Sequence, residues 1–515
     1  PSEIFIYGDK LVILGSESFR TMPVDNLARD VDVASDVARI GIMPMPTSLN
    51  SFIKIYDISE KDEPTLDESI SLQGSYKTSR MVDGNIYVVF NKYLGRNFEL
   101  PVVYTMNGEK TISAKDIYYS TDMYENYDLS VIMAVDIESG AHSETSVLKG
   151  TTQSVYMSED NLYLTGRNHI PYHVEERRVI DEVLMSYLPS DVREEIKRID
   201  SYEIRESTKL QEIDYIIAQY LSPLDEDDAL KLQEDIEEDV QEIETEVARE
   251  RDKTIIHRFA IDDLDVDHKA RGEVPGRPLN QFSMDEDDAY FRIATTKGYS
   301  WREDMPMSNN LYVLDMELDI EGKIEEIAPD ESIYSVRFMQ DRAYMVTFRT
   351  IDPLFVIGLE NPEQPELLGK LKIPGYSSYL HPFGENHLIG IGKEVIEGKD
   401  ERSYEQGVKV ALFDVSNVET PKEIAKIEIG DRGSDTPVLR DHKAFLFDQE
   451  KNLMMLPVRE TKVDPEKYPD REPDEMYGDS IFQGAYIYNV SLDGFEIKGK
   501  ITHLEDDELE KEGYH

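Results

Sequence analysis

The feature that most constrains the fold of this chain is a short apolar strand that ends at a polar turn residue and recurs along the sequence. Four copies end in aspartate, and three others are weaker. One such unit cannot bury both of its faces alone, so the copies must pack against each other in series. The clear copies occupy residues 55–59, 134–137, 312–315 and 412–416, and the weaker ones 259–262, 355–359 and 487–491.

A β-hairpin precedes each of these strands, and a further strand follows it, as at 366–373 and 423–429. Glycine, aspartate and asparagine between β-branched and aromatic runs are the expected hairpin signal. The turns fall at 8–9, 83–85, 159–161, 287–288, 340–342 and 384–386, and a less regular hairpin runs from 438 to 456. Four strands per unit predict an all-β fold, a β-propeller of about seven four-stranded blades. An eighth blade would require flanking segments.

Residues 174–250 differ in kind, because their apolar residues recur every three to four positions, as in amphipathic helices. Breaks at Pro189 and Pro223 predict about three helices, inserted from the second blade. The insertion is either a solvated decoration or an arm that binds a partner. The predicted organisation is therefore propeller from 1 to 173, helices from 174 to 250, propeller again from 251 to 503, and an acidic tail from 504 to 515.

The charge of the chain excludes several partners. With 106 acidic and 55 basic residues among 515, the net charge is −51, which disfavours nucleic acid and anionic membrane surfaces. The surplus carboxylates either keep the protein surface hydrated or bind cations. There is no cysteine, and no run of ~20 apolar residues that would span a membrane. The start at Pro1, without methionine or signal peptide, leads us to expect a mature or trimmed product.

A series of short motifs occurs in the same order as in one known family, at 274–276, 280–286, 293–296, 333–338, 346–348, 352–356, 373–377, 379–382, 441–445 and 501–503. The sequence is similar to the secreted β-propeller domain proteins of archaea and some bacteria, which are distantly related to WD-repeat propellers. The resemblance implies a secreted or cell-surface propeller without an established enzymatic activity. Gly358 departs from it, since the family usually has aspartate there, and the family's strand-rich segments before Pro1 and after His503 are missing.

Side chains on the first strands of several blades predict a site in the central channel. Converging arginines there could bind an anion through charge-assisted hydrogen bonds. More often, such arginines bridge neighbouring blades or pair with acidic residues, here Asp285 and Glu286. The candidate ligand-binding residues are Arg80, Ser283, Arg337 and His381.

Local sequence patterns predict candidate metal and glycosylation sites. Asp263, Asp265 and Asp267 alternate as in a calcium loop, but His268 and Val274 stand where an EF-hand has glycine and glutamate. A calcium site made of strand-end carboxylates, without EF-hand geometry, therefore remains an alternative. His381, His442 and His503 could bind a transition metal if they converged; otherwise they are buried, hydrogen-bonded histidines. Asn489 begins a glycosylation triplet.

Two classes of function follow. We find no serine nucleophile elbow, phosphate-binding loop or zinc-protease helix. The first hypothesis is a non-enzymatic extracellular or cell-surface module that binds other surface proteins or copies of itself. It needs no cofactor, with calcium as the one alternative. The alternative is a hydrolase or lyase, with or without a metal, whose site at the channel mouth uses Arg80, Arg337 and His381.

Overall fold

The structure is a computed structural model that describes residues 2–18, 49–94, 99–120, 127–348, 352–398, 403–467, 472 and 475–504. The predicted acidic tail, apart from Leu504, lies outside the described residues. The chain divides into two compact units. Unit 1 comprises Pro1–Arg251 and Ile255–Gly272, and unit 2 comprises Asp252–Thr254 and Glu273–His515.

The first two sheets belong to unit 1, and the four main strands of each are antiparallel. Sheet 1 contains β1 (Glu3–Tyr7), β2 (Lys10–Ser18), β3 (Leu49–Asp57) and β4 (Thr65–Gln73). Sheet 2 begins with β5 (Ser75–Val82) and β6 (Asn85–Tyr93). The chain then makes three short strands, β7 (Val102–Thr105), β8 (Gly108–Thr111) and β9 (Ile117–Tyr119). It returns to sheet 2 as β10 (Asp128–Asp136) and β11 (His142–Lys149).

The three short strands extend the outer edges of both sheets. The β7–β8 hairpin pairs with β4 of sheet 1, and β9 runs parallel to β11 of sheet 2. The edge strands therefore find hydrogen-bond partners instead of presenting unpaired backbone groups.

Sheet 3 carries the helical insertion. Its strands are β12 (Thr152–Met157), β13 (Asn161–Arg167), β14 (Lys253–Asp262) and β15 (Asp265–Pro275), and the helices lie between β13 and β14. The prediction that the helices leave the second blade was therefore wrong by one sheet. The repeats at 55–59 and 134–137 lie in β3 and β10 of sheets 1 and 2, so the hairpin before the insertion belongs to the third unit.

The insertion has more segments than the two prolines predict. After α1 (Tyr172–Arg178) comes a π-helical turn (Val179–Leu184), followed by α2 (Met185–Tyr187), α3 (Ser190–Asp200), α4 (Glu206–Leu221) and α5 (Glu226–Arg251). The extra break between α3 and α4 contains no proline. Buried apolar residues such as Ile196 and Ile213 form cores within the helices themselves. In the described ranges every helix is too short or too polar to cross a bilayer.

Unit 2 contains four further sheets, each of four antiparallel strands. Sheet 4 has β16 (Met284–Asp287), β17 (Tyr290–Lys297), β18 (Ser308–Leu314) and β19 (Ile320–Ile327). Sheet 5 has β20 (Ser332–Met339), β21 (Arg342–Phe348), β22 (Asp352–Gly358) and β23 (Glu366–Ile373). Sheet 6 has β24 (Tyr376–Pro382), β25 (His387–Glu397), β26 (Ser403–Asp414) and β27 (Lys422–Ile429). Sheet 7 has β28 (Leu446–Asp448), β29 (Leu453–Lys462), β30 (Asp479–Ser491) and β31 (Gly494–Ile501).

Alternate residues of the central strands enter different cores, so the sheets pack face to face. In sheet 2, Val88 and Met133 join the core shared with sheet 1, while Val89 and Ile132 join the core shared with sheet 3. Unit 2 repeats this pattern between sheets 4 and 5, 5 and 6, and 6 and 7. Period-two side-chain alternation with both faces apolar explains the packing in series.

The predicted repeat corresponds to the third strand of every sheet. Its aspartate caps the following turn, since Asp57 accepts from Ser59 N (2.9 Å) and Asp414 from Ser416 N (2.9 Å). Such bonds from an aspartate to the backbone two residues on are Asx turns. In sheet 5 Gly358 has no side chain to make this bond, and Asn361 accepts from Glu363 N (3.3 Å) as Asn417 accepts from Glu419 N (3.2 Å) in sheet 6.

Candidate functional site

A wide cleft opens at one end of sheets 5, 6 and 7 in unit 2. It has a volume of about 1610 Å³. Its walls come from the end of β25, the start of β26, the end of β29 and the start of β30, where each sheet passes from its second to its third strand. The segment that joins β27 to sheet 7 contributes Arg432 to Asp435. Loops on rigid sheet ends commonly form binding sites.

A tight turn before sheet 7 fixes the backbone of this segment. Gly430 has a φ of 66°, and a Cβ there would collide with the Ser434 hydroxyl. Ser434 is fully buried and its Oγ accepts from Thr461 N (2.9 Å). Arg432 O accepts from Gly478 N (2.8 Å) and from the Thr461 hydroxyl (3.1 Å). The position of Arg432 is thus set by the backbone on both sides of the cleft.

The Arg432 guanidinium lies between two tyrosine rings. Its central carbon is 4.9 Å from the Tyr404 ring centre and 4.5 Å from that of Tyr477, and Nη2 donates to Tyr477 Oη (3.3 Å). Stacking of a guanidinium on aromatic faces is favourable. Among the described residues, Nε and Nη1 of Arg432 have no hydrogen-bond acceptor although both atoms are buried. Unpartnered buried donors of a cation are costly and favour an incoming acceptor.

Two more cations bind the backbone of the residues that follow Arg432. Arg459 donates from Nη2 to Gly433 O (3.3 Å), and its buried Nε has no acceptor in the described part of the chain. Lys393 is 7% exposed and donates to Ser434 O, with Asp435 Oδ1 4.0 Å away. Burial lowers the pKa of Lys393, and the nearby Asp435 carboxylate opposes that shift.

The lining is locally balanced in charge, unlike the rest of the molecule. Five basic and five acidic side chains line the cleft, in a chain with 106 acidic and 55 basic residues. Hydroxyl and amide groups lie between them. The basic set is Lys393, Arg432, Arg440, Arg459 and Lys467; the acidic set is Glu405, Asp435, Asp464, Glu475 and Asp479.

An aromatic wall faces the cleft from sheets 5 and 6. Tyr334 and Tyr376 both line it, with ring centres 4.9 Å apart, and Phe348 packs behind them. Tyr376 Oη donates to Glu405 Oε1 (2.7 Å). The site thus combines aromatic faces with fixed donors and acceptors, an arrangement suited to binding a polar ligand in a defined orientation.

Three of the four predicted channel residues lie in unit 2. The Arg337 guanidinium stacks on Phe282, with its central carbon 5.0 Å from the ring centre. The Nδ1 atom of His381 is 3.0 Å from Tyr379 Oη, and burial together with Arg337 lowers the pKa of His381 to about 4. Ser283 is fully buried beside Phe282, and its Oγ lacks a hydrogen-bond partner among the described residues.

The fourth, Arg80, lies in unit 1 on β5. Its Nη1 donates to Thr78 Oγ1 (3.0 Å) and to Ser79 O (2.6 Å). Asp285, an acidic partner predicted for the channel arginines, accepts from Arg292 Nε (3.0 Å), and the charge of Arg337 also opposes the rise in the Asp285 pKa that burial causes. The anion-binding role of the four channel residues stays a prediction.

The predicted calcium residues lie at the β14–β15 hairpin. Asp263 occupies the turn with a φ of 51°, and Asp265 and Asp267 are exposed on alternate positions of β15. The alternation is that of a strand with one solvated face. Within the described ranges no three histidine, aspartate or glutamate side chains converge as metal ligands. Asn489 is half-buried within β30.

Unit 1 contains buried ionisable groups that the motifs do not reveal. Lys149 is 2% exposed and donates to Gly150 O (3.1 Å); burial lowers its pKa to about 7, against the opposing charge of Asp128. Burial and the nearby Lys149 lower the pKa of His257 to about 3, and its Nδ1 is 3.1 Å from His268 Nε2.

The cleft residues escaped prediction for a physical reason. Arg432 and Tyr477 lie on irregular segments between strands, and Tyr404 lies at the start of a long strand, so no local spacing connects them. A usable signal was the sequence Gly430-Asp431-Arg432-Gly433, a cation flanked by glycines immediately after a predicted strand.

The Beta propeller domain family model matches residues 1–515. An uncharacterized protein of Methanocaldococcus jannaschii is 33% identical over 461 residues, covering 86% of this chain and 70% of that protein. An uncharacterized protein of Archaeoglobus fulgidus is 32% identical over 457 residues, covering 88% of this chain and 70% of that one.

Among solved structures, the chain is similar to a mutant of the Synechocystis apocarotenoid oxygenase. The TM-score is 0.30 at 7% identity, covering 65% of this chain and 56% of that chain, which is too weak a likeness to carry information on fold or function. The seven sheets and the family match together confirm the predicted β-propeller fold. The chain belongs to the Beta propeller domain family, with archaeal relatives.

Proposed function

We propose that this protein is a non-enzymatic binding module of the cell exterior, secreted or attached to the surface. Its partners are other surface proteins or the material to which they are attached, or copies of itself. The observation that carries the proposal is the cleft of unit 2, where Arg432 is held between Tyr404 and Tyr477 with two buried N–H groups lacking acceptors among the described residues. A ligand acceptor would relieve that cost.

The alternative enzyme at the channel mouth receives less support from its own candidate residues. Arg80 donates to Thr78 and to the Ser79 carbonyl, Arg337 stacks on Phe282, and His381 bonds with Tyr379. A general base needs a proton to abstract within hydrogen-bond reach and a pKa near the working pH. The low pKa of His381 makes it a weak base.

The proposal is tested by retention on cell-envelope fragments. The full chain, fluorescently labelled, is sedimented with envelope fragments of the cells that produce it, and sedimentation velocity of the chain alone measures self-association. We expect retention that falls at least tenfold in Arg432→Gln. Arg302→Gln serves as the matched control, because Arg302 pairs with Asp304 outside the cleft.

Two results would contradict the proposal. One is a chain that neither sediments with the envelope nor associates with itself. The other is turnover of a glycoside, ester or polyuronate substrate that Arg337→Ala or His381→Ala abolishes while the circular dichroism spectrum stays unchanged.

A further inference from the structure

The ligand class of the cleft follows from its lining. We infer that the cleft binds a saccharide that carries a carboxylate, a uronic-acid-containing glycan, with Arg432 as the group that binds the carboxylate. This inference rests on the proposed binding function and specifies the chemistry of the same site.

The cation at Arg432 selects for a negative group. Its guanidinium is held by stacking on Tyr404 and Tyr477, and Nε and Nη1 are the donors without acceptors in the described part of the chain. Hydrogen bonds between a guanidinium and a carboxylate are about twice as strong as neutral ones. Arg459, with a second such Nε, lies in the same lining.

A ligand that approaches the Arg432 guanidinium from solvent meets the Tyr477 ring first. The Tyr477 side chain is 66% exposed, whereas the guanidinium atoms beneath it are shielded from solvent. A carboxylate that reaches Nε and Nη1 must therefore displace the Tyr477 ring, while the backbone bond from Gly478 N to Arg432 O (2.8 Å) holds the segment that carries the guanidinium. An exposed tyrosine beside a bound carboxylate then offers an apolar ring face to the ligand.

The acidic half of the lining argues against a polyanionic peptide. Five carboxylates line the cleft, and the ionised side chains of an acidic peptide are acceptors only, so they offer these carboxylates no hydrogen-bond donor. Sugar hydroxyls, in contrast, donate to carboxylates and accept from cations. Serine, threonine and glutamine groups supply further donors and acceptors in the lining: Ser378, Ser403, Gln406, Ser434, Thr461, Ser480 and Gln483.

The size of the cleft fits an oligosaccharide better than a small anion. A volume of about 1610 Å³ exceeds the 300–1,000 Å³ that is usual for small-molecule pockets. The aromatic wall of Tyr334 and Tyr376 lies along the same lining and offers apolar surface for the C–H faces of sugar rings.

Calorimetry on the full chain with three probes tests the inference: a trimer of galacturonic acid, the galactose trimer of the same linkage, and tri-glutamate. We expect the galacturonate trimer to bind at least tenfold more tightly than either of the other two. Arg432→Gln should remove that preference, Arg432→Lys should restore part of it, and Arg302→Gln should leave it intact. In the wild-type chain, added NaCl should weaken galacturonate binding because it screens the charge pair.

Equal affinity for the two saccharide trimers would overturn the role of Arg432, as would an unchanged preference in Arg432→Gln. Tighter binding of tri-glutamate would overturn the saccharide class in favour of acidic peptides. Binding of none of the probes, with envelope retention still dependent on Arg432, would reject this inference and leave the binding function standing. If Arg432→Gln does not fold, the test is how NaCl changes the affinity of the wild-type chain for the two saccharide trimers. An equal change for both trimers rejects the inference.

Discussion

At the scale of single residues, buried ionisable side chains make stability depend on pH. Lys149 is the clearest case, because its ammonium is 2% exposed with one backbone acceptor, Gly150 O, at 3.1 Å. Burial disfavours the charged form and lowers its pKa from 10.5 to about 7. Between pH 7 and pH 10.5, Lys149 therefore binds a proton in the unfolded chain but not in the native state.

We predict that wild-type stability contains a contribution from Lys149 that rises as pH increases from 7 to 10.5. Lys149→Met, which keeps the volume but not the charge, should remove that contribution and raise the free energy of unfolding at pH 7 by about 1–3 kcal/mol. Urea unfolding at pH 7 and pH 9 measures both effects. In Lys110→Met, an exposed control in the same unit, the change should stay below about 1 kcal/mol.

His381 also makes the stability of the protein increase with pH, but over a more acidic pH range. Its folded pKa of about 4 lies below its ordinary value of 6.5, because burial and Arg337 disfavour the imidazolium. Its contribution is present above pH 6.5 and is lost as pH falls towards 4, since only the unfolded chain takes up the proton there. His381→Phe should reduce the loss between pH 6.5 and 4 by roughly 1–3 kcal/mol.

The readout for His381 is the slope of stability against pH, not its absolute value. Loss of the bond to Tyr379 Oη affects all pH values alike, whereas the titration affects only the acidic window. His503→Phe, at an exposed position, is the control. A slope that is the same in wild type and His381→Phe would show that other groups cause the acid sensitivity.

At the scale of elements, the helical insertion behaves as a separate folding unit. Its apolar residues, among them Leu188, Ile196 and Val247, pack mainly against each other. Its two ends join β13 and β14, which are neighbours in sheet 3. Asn168 Nδ2 donates to Glu250 O (3.0 Å) where the insertion returns to the sheet.

We predict that replacing residues 172–249 by a short glycine–serine loop leaves a folded, strand-rich protein. The far-ultraviolet circular dichroism should lose its helical component, and the remaining chain should still unfold in a cooperative transition, because the two cores that sheets 1, 2 and 3 share contain no helix residue among the described residues. Loss of all cooperative unfolding would show that the insertion is required for the fold of sheet 3.

The sequence predicts regular elements well and irregular ones poorly. All seven apolar repeats are third strands, because period-two burial and the Asx turn leave local patterns, as at Asp57 and Asp414. The break between α3 and α4 was missed since no proline marks it. Arg432 was missed because its partners, Tyr404 and Tyr477, are brought together only by the packing of sheets 6 and 7.

At the scale of the whole molecule, the surplus of negative charge acts on stability. With 106 acidic and 55 basic residues, self-repulsion is strongest in dilute buffer and falls as salt shortens the Debye length. The exposed carboxylates of Asp263, Asp265 and Asp267 are part of this surplus.

We predict that moderate NaCl raises the melting temperature and that CaCl₂ at the same ionic strength raises it by the same amount. The reason is that screening does not require a defined ligand geometry. Differential scanning calorimetry at matched ionic strength makes the comparison. A markedly larger shift in millimolar calcium would reveal specific sites, and Asp265→Asn would then test the β14–β15 hairpin.

The excursion of β7 to β9 has a mechanical consequence. The chain leaves sheet 2 after β6, adds the β7–β8 hairpin to the outer edge of sheet 1, and returns through β9 to the outer edge of sheet 2. Peeling either sheet from its outer edge therefore breaks pairings made by the same stretch of backbone. Under a pulling force these two sheets are expected to yield in one event, whereas sheets 4 to 7, each built from consecutive strands, can be released one at a time.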